Sequence, residues 1–129
     1  MADGSTRPVI LVVEDDADLQ RMLRVMLRDL GEVATADDGV DALLKIRDGL
    51  RPAVIVSDIM MPRMDGLEFV QSLADHPDVG DVPVVFLTAR NTPKDVIAGI
   101  QAGARAYVTK PFKQKELVDK VRRVLGHAR

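Results

Sequence analysis

Short apolar runs alternate with amphipathic stretches along the whole chain. Val9 to Val13, Ala53 to Val56 and Val84 to Leu87 are continuous aliphatic or β-branched runs, the pattern of parallel strands covered on both faces. Ala106 to Val108 is a shorter run of the same kind, and the half-polar "EVATA", Glu32 to Ala36, suits an edge strand. Between them Leu19, Met22, Leu23, Met26, Leu27 and Leu30 recur at steps of three and four, with Gly31 as the expected C-terminal stop. Similar stripes occur at Val40, Leu43 and Leu44, at Leu67, Val70 and Leu73, at Val96, Ile97 and Ile100, and at Leu117, Val118, Val121 and Leu125. Thr92 before Pro93 reads as a hydroxyl cap ahead of a first-turn proline, and Gly103 closes that helix. Five repeats of strand then helix predict a parallel sheet with helices on both faces, because right-handed crossovers leave few other ways to bury these stripes.

Composition narrows the function. A chain of 129 residues with 47% hydrophobic content makes one domain. Its 18 Lys and Arg against 20 Asp and Glu provide no basic field for nucleic acid, which points to a protein or small-molecule partner. The absence of cysteine removes disulfides, thiolate metal sites and cysteine nucleophiles together. The apolar runs are strand-length, so no membrane span is expected. "MADGSTRP" lacks the apolar segment of an export signal, and the expected address is the cytoplasm.

The candidate chemistry lies at the strand ends, where doubly wound sheets bind ligands. The first strand ends in Glu14, Asp15 and Asp16, the third in Asp58, the fourth in Thr88 and the fifth in Lys110. If those four strands are neighbours, the side chains meet in one pocket. Asp15 or Asp16 alone reads equally well as a helix N-cap, but three consecutive acids exceed what one cap needs. Asp58 is a poor cap: "IMMP" follows it, Pro62 pushes Met61 out of helical geometry, and the next helix cannot begin before Asp65 or Gly66. Carboxylates on strands about 5 Å apart repel, so protons, a lysine or a metal must offset them. Hard oxygen ligands with no His or Cys nearby favour Mg2+ over zinc. Lys110 would add a fixed positive charge and Thr88 a short hydroxyl donor. Either alone is weak evidence, since strand-end lysines are usually solvated and Thr fits any strand.

Together "ILVVEDD", "IVSDIMMPRMDG", "VVFLTA" and "AYVTKPF" resemble the four signature segments of the receiver domain of bacterial two-component response regulators. The resemblance runs in order from about Val9 to Leu125. It implies a flavodoxin-like (βα)5 fold with strand order 2-1-3-4-5, a flexible N-terminus over 1–8, a receiver domain over 9–126 and a C-terminal tail over 127–129. It further implies phosphoryl transfer to Asp58 from a histidine kinase, a phosphotransfer protein or a small phosphodonor. Mg2+ would be held by Glu14, Asp15, Asp58 and the backbone carbonyl of Met60, and Thr88 and Lys110 would contact the phosphoryl oxygens. The Lys110–Pro111 peptide would be cis, and Tyr107 matches the aromatic that changes rotamer with the state of the site.

Such a domain is a switch that catalyses its own phosphorylation and slow dephosphorylation, and not a turnover enzyme. Its output would be an altered surface on the fourth helix, fifth strand and fifth helix, read by an unknown downstream protein. The molecule would be a monomer or a phosphorylation-dependent dimer. Lys113, Lys115, Lys120, Arg122 and Arg123 make the last segment basic, either for an acidic partner or to complement the helix dipole. Glu14 stands where the family more often has Asp, and its extra methylene is expected to let it reach the ion through water. Met60 and Arg90 occupy places that tune water access to the phosphoryl group, and bulky Met60 is expected to shield it. Met22 and Met26 read as core filler. Two other classes are weighed: a phosphohydrolase, which would want an Asp where Met60 stands, and a pseudo-receiver docking module, which tends to lose the acids or the lysine kept here.

Overall fold

The computed structural model describes residues 7–61, 63–89, 93–101 and 103–127. The elements follow the predicted alternation: β1 (Val9–Val13), α1 (Ala17–Leu27), β2 (Glu32–Ala36), α2 (Gly39–Arg47), β3 (Val54–Ser57), α3 (Gly66–Ala74), β4 (Val84–Thr88), α4 (Pro93–Gln101), β5 (Ala104–Thr109) and α5 (Gln114–His127). All strand pairs are parallel, in the order β2-β1-β3-β4-β5, the flavodoxin-like arrangement. β1 lies between β2 and β3, so the chain reverses direction across the sheet there, and the carboxyl ends of β1 and β3 open on the same edge.

Two apolar layers explain why the strand runs are continuous. Ile10, Val12, Val54, Val56, Val85, Leu87 and Val108 pack with Leu23 and Leu27 of α1 and with Leu117 and Val121 of α5. The alternate positions Leu11, Val13, Ile55, Val84 and Phe86 pack with Ala42 and Ile46 of α2 and with Phe69, Val70 and Leu73 of α3. A side chain of this kind fully withdrawn from water contributes about 1.5–3 kcal/mol. Every second residue of a strand faces each layer, so a strand buried on both sides has no polar positions to spare. The edge strand β2 is only partly buried, as its composition predicts, and on it the Lys45 ammonium donates to the Thr35 carbonyl at 2.6 Å.

Helix boundaries depart from the periodicity in places. α1 stops at Leu27, with Arg28 as its C-cap, and a turn directly after it brings in Leu30, whose N–H donates to the Leu27 carbonyl. Gly31 is therefore not the helix stop. It is small because the Pro8 carbonyl runs beside it: a Cβ there would lie 2.3 Å from that oxygen. Arg7 ties the same region down by donating to the carbonyls of Arg28 and Gly31. Gly103 does close α4, at φ 116°, with its N–H on the Ile100 carbonyl. Thr92, its expected cap, lies outside the described residues. Ile97 and Ile100 were expected on the buried stripe of α4 but are 54% and 57% exposed. Met22 is exposed rather than core filler, whereas Met26 is packed against the core. In α2 Ala42 and Ile46 are buried and Leu43 packs against the same core, as expected, whereas Leu44 is turned outward.

Gly31→Ala should lower the unfolding free energy by about 1–3 kcal/mol, because the added methyl has to displace backbone. Gly126→Ala, where a Cβ meets nothing within 4 Å on α5, should instead raise it by up to about 1 kcal/mol. Urea denaturation of both variants against the wild type checks the two signs.

Candidate functional site

Each strand end delivers a polar side chain because the apolar run stops at the sheet edge. Beyond β1, the Glu14 N–H donates to the Ala36 carbonyl at 3.0 Å, which extends the pairing with β2 by one residue. Its side chain is only 3% exposed and accepts from the Asp16 N–H at 3.1 Å through Oε2. Asp16 is the N-cap of α1, accepting from the N–H groups of Asp18 and Leu19 at 2.9 and 3.1 Å. The three consecutive acids thus divide: Asp16 caps, Asp15 is exposed, and Glu14 points inward. Gln20 of α1 braces this corner through its side-chain amide, which lies within hydrogen-bond distance of the Glu14 and Ala36 carbonyls and of Asp37 Oδ1.

Beyond β3, Asp58 is buried and is no cap, as its sequence context predicts. The α3 N-cap is Asp65, which forms a reciprocal capping box with Glu68. The Asp58 carboxylate is held at both oxygens. Oδ1 accepts from the Met60 N–H at 3.1 Å, and Oδ2 accepts from the Lys110 ammonium at 2.7 Å. Its main chain is fixed by the Asp58 N–H donating to the Val13 carbonyl at 3.2 Å and by the Ser57 hydroxyl donating to the Asp58 carbonyl at 2.9 Å. Gly66 permits this closeness, since a Cβ there would stand 2.5 Å from the Asp58 carbonyl oxygen.

Lys110 follows β5, with its N–H on the Thr88 carbonyl at 2.8 Å, and its peptide to Pro111 is cis. Its ammonium also lies 3.4 Å from Glu14 Oε1. Thr88 is buried at the end of β4, in register with Thr109. Tyr107 is half-buried, with its ring edge-on to Phe86 at 6.2 Å between centroids and close against Gly99 of α4. Met60 is 62% exposed beside the site. Arg90 lies outside the described residues.

Electrostatically the site is short of positive charge. Burial raises the Glu14 carboxyl above its ordinary value. The Asp16 N–H and Lys110 pull it back, while the charge of Asp58 and the nearby Asp15 carboxyl push it further up. For Lys110 burial acts to lower the pKa, but the hydrogen bond and charge of Asp58, then those of Glu14, outweigh it and raise the value. Lys110 is firmly protonated because it faces two carboxylates. Each carboxylate has only a share of one ammonium, which leaves the triad one negative charge in excess when all three are ionised.

Among the described residues no group of three or more acidic, imidazole or thiol side chains is arranged as a cage for a metal ion. The donor set nevertheless fits Mg2+, which takes one or two carboxylates, keeps several waters and completes its shell from a phosphate. Glu14 and Asp58 offer oxygen only, and the histidines lie elsewhere, His76 after α3 and His127 at the end of α5.

Sequence reasoning missed Asp38 and Arg63. Arg63 donates from Nε to Asp38 Oδ2 at 2.6 Å and from Nη2 to Oδ1 at 2.9 Å, joining the β3–α3 loop to the N-cap of α2. The link spans 25 residues and belongs to no periodic pattern.

Comparison with known proteins agrees with this geometry. Residues 10–122 match the family model of the response regulator receiver domain. The chain is 45% identical over 117 residues to the DNA-binding response regulator MtrA of Mycobacterium tuberculosis, a match covering 90% of this chain and 50% of MtrA. It thus spans about half the length of the curated relatives it matches. The structure of the chemotaxis response regulator CheY4 of Vibrio cholerae superimposes with a TM-score of 0.85 at 35% identity, covering 92% of this chain and 99% of that one. The receiver domain of sensor histidine kinase PA1611 from Pseudomonas aeruginosa, whose structure has a magnesium ion coordinated in the active site cleft, gives 0.82 at 32%, covering 94% and 99%. With the fold, the strand-end carboxylates and the matched span in agreement, the chain belongs to the receiver domain family of two-component response regulators, whose signalling depends on phosphorylation.

Proposed function

We propose that Asp58 is the phosphoacceptor of this receiver domain, taking a phosphoryl group from a histidine kinase, a phosphotransfer protein or a small phosphodonor. The observation that carries this reading is the Lys110 ammonium seated on Asp58 Oδ2 at 2.7 Å, with Glu14 on its other side. A carboxylate oxygen attacks phosphorus. The new P–O bond forms as the donor's P–N or P–O bond breaks, and the leaving group departs with that electron pair. The barrier is mainly electrostatic, because negative charge gathers on the transferred oxygens. Lys110 supplies fixed positive charge by position. Glu14, Asp15, Asp58 and the Met60 carbonyl would hold Mg2+, whose charge would complement that of Lys110 on the phosphoryl oxygens. Asp15 is exposed next to the site and can approach an ion without unfolding anything.

After transfer, Thr88 donates to a phosphoryl oxygen, and Tyr107, three residues before Lys110, changes its packing in response. The exposed Ile97 and Ile100 on α4 support an output surface formed by α4, β5 and α5, read by a downstream protein. MtrA is named as DNA-binding, but the net charge of −2 here favours a protein as the direct partner. No described helix is long and apolar enough to cross a membrane. Met60, in place of a second Asp, leaves no general acid for rapid turnover, so a switch is a better reading than a phosphohydrolase.

Incubation with Mg2+ and acetyl phosphate, followed by intact mass, should give one stable adduct that is absent in Asp58→Ala. Multiple rapid turnovers would instead indicate the hydrolase, and no adduct a docking module.

Met60→Asn or Met60→Ala should accelerate loss of the phosphoryl group, followed as released phosphate. An unchanged or slower loss removes the shielding role.

Glu14 gives a pH signature. Its folded pKa lies above its ordinary 4.5, so the native state binds the proton more tightly than the unfolded chain does. Stability is therefore lost as pH rises from 4.5 through the folded value, and the penalty persists at neutral pH. In chelator, Glu14→Gln should be more stable than the wild type at pH 7, with the advantage vanishing near pH 4. Thermal melts across that range check it, and equal melting at both ends contradicts it.

A further inference from the structure

The loop between Asp58 and α3 is pinned at its base. The Met60 N–H donates to Asp58 Oδ1, and the Gly66 N–H donates to the Ile59 carbonyl at 2.7 Å. Its outer part reaches across to α2. Arg63 lies in that part with φ 66°, the one non-glycine residue with positive φ among the described residues. A side chain in that backbone region is strained when nothing offsets it, and glycine would occupy it freely. Arginine there is explained by its guanidinium, which grips both oxygens of Asp38.

Asp38 is itself firmly placed. Its side chain is 6% exposed and caps α2 by accepting from the Asp41 N–H at 2.8 Å. The Arg63 hydrogen bond holds its carboxyl below the ordinary 3.8. The two loops also touch through apolar atoms, since a Cβ on Gly39 would come within 3.0 Å of the Met64 side chain. A fork on a carboxylate fixes direction as well as distance. It therefore sets where the outer loop stands, and the Met60 peptide lies between that clamp and Asp58.

We propose that Arg63 and Asp38 are positioning residues for phosphoryl acceptance: their ion pair fixes the loop that carries Met60, and so keeps the Asp58 carboxylate turned with Oδ1 on the Met60 N–H and Oδ2 on the Lys110 ammonium. The inference rests on Asp58 as the acceptor. Neither residue acts on the reacting atoms, and their influence passes through the Met60 main chain.

The test uses Asp38→Asn, which retains an oxygen to cap α2, Arg63→Ala, Arg63→Gly and the Asp38→Asn/Arg63→Ala double variant. Adduct formation from acetyl phosphate at saturating Mg2+, hydrogen exchange of the Met60 amide and the thermal midpoint are measured for each. Each single variant should slow adduct formation roughly threefold to tenfold and speed Met60 exchange, with the double no slower than its slower parent. Arg63→Gly should be as slow as Arg63→Ala although it relieves the backbone. Wild-type rate and Met60 exchange alongside a lowered midpoint would show a merely structural clasp and overturn the proposal. Additive slowing in the double, or a wild-type rate in Arg63→Gly, would overturn it too. A wild type that forms no adduct sinks the Asp58 reading itself, whereas adduct formation at equal rates in wild type and variants sinks the ion pair's role alone.

Discussion

One ammonium between two carboxylates organises this molecule's functional edge. Lys110 reaches Asp58 at 2.7 Å and Glu14 at 3.4 Å only because β5, β4, β3 and β1 are neighbours in that order. Each contributes one strand end, and the main chains are locked in register by N–H groups on the carbonyls of Thr88, Val13 and Ala36. The shortage of positive charge is built in. Glu14 is buried enough to resist ionisation, and its nearest cation is shared. A largely buried triad with one negative charge in excess is weak support for stability. Its value on the proposed mechanism is that incoming cationic or proton-bearing groups find an anionic pocket whose geometry is already set.

The architecture was legible in the sequence because both faces of the inner strands are covered. Val9 to Val13 and Val84 to Leu87 had to be continuous, and their shortness and β-branched content favour a buried strand over a buried helix. Helix faces were less secure. The three- and four-residue spacing of Leu19 to Leu30 continues through the turn after Leu27, since Leu30 still packs on the core after the helical backbone has ended. On α4, apolar residues at the right spacing face outward instead, and periodicity cannot tell a face that meets the sheet from one left open.

The site divides in the same way. Glu14, Asp58, Thr88 and Lys110 were visible because each is a polar residue at the end of an apolar run, directly in Glu14 and Thr88 and after one hydroxyl residue in Asp58 and Lys110, and topology then brings such positions together. Which of Glu14, Asp15 and Asp16 turns inward was not visible, because three adjacent acids differ only in backbone direction. That direction is set by the cap on α1 and the pairing with β2. The Arg63–Asp38 pair was invisible for a different reason. It joins two irregular segments and depends on a left-handed backbone at an arginine, which neither propensity nor spacing signals.

The hydrogen bond from Lys45 to the Thr35 carbonyl has a consequence beyond the fold. β2 is an outer strand of the sheet, and an unpaired edge invites a strand from another molecule. An arriving chain would need that carbonyl for its own N–H and finds it occupied, beside a charge that must be desolvated first. Edge-to-edge pairing is thereby opposed at this point of β2, where the strand is guarded by a side chain and not by a neighbouring strand.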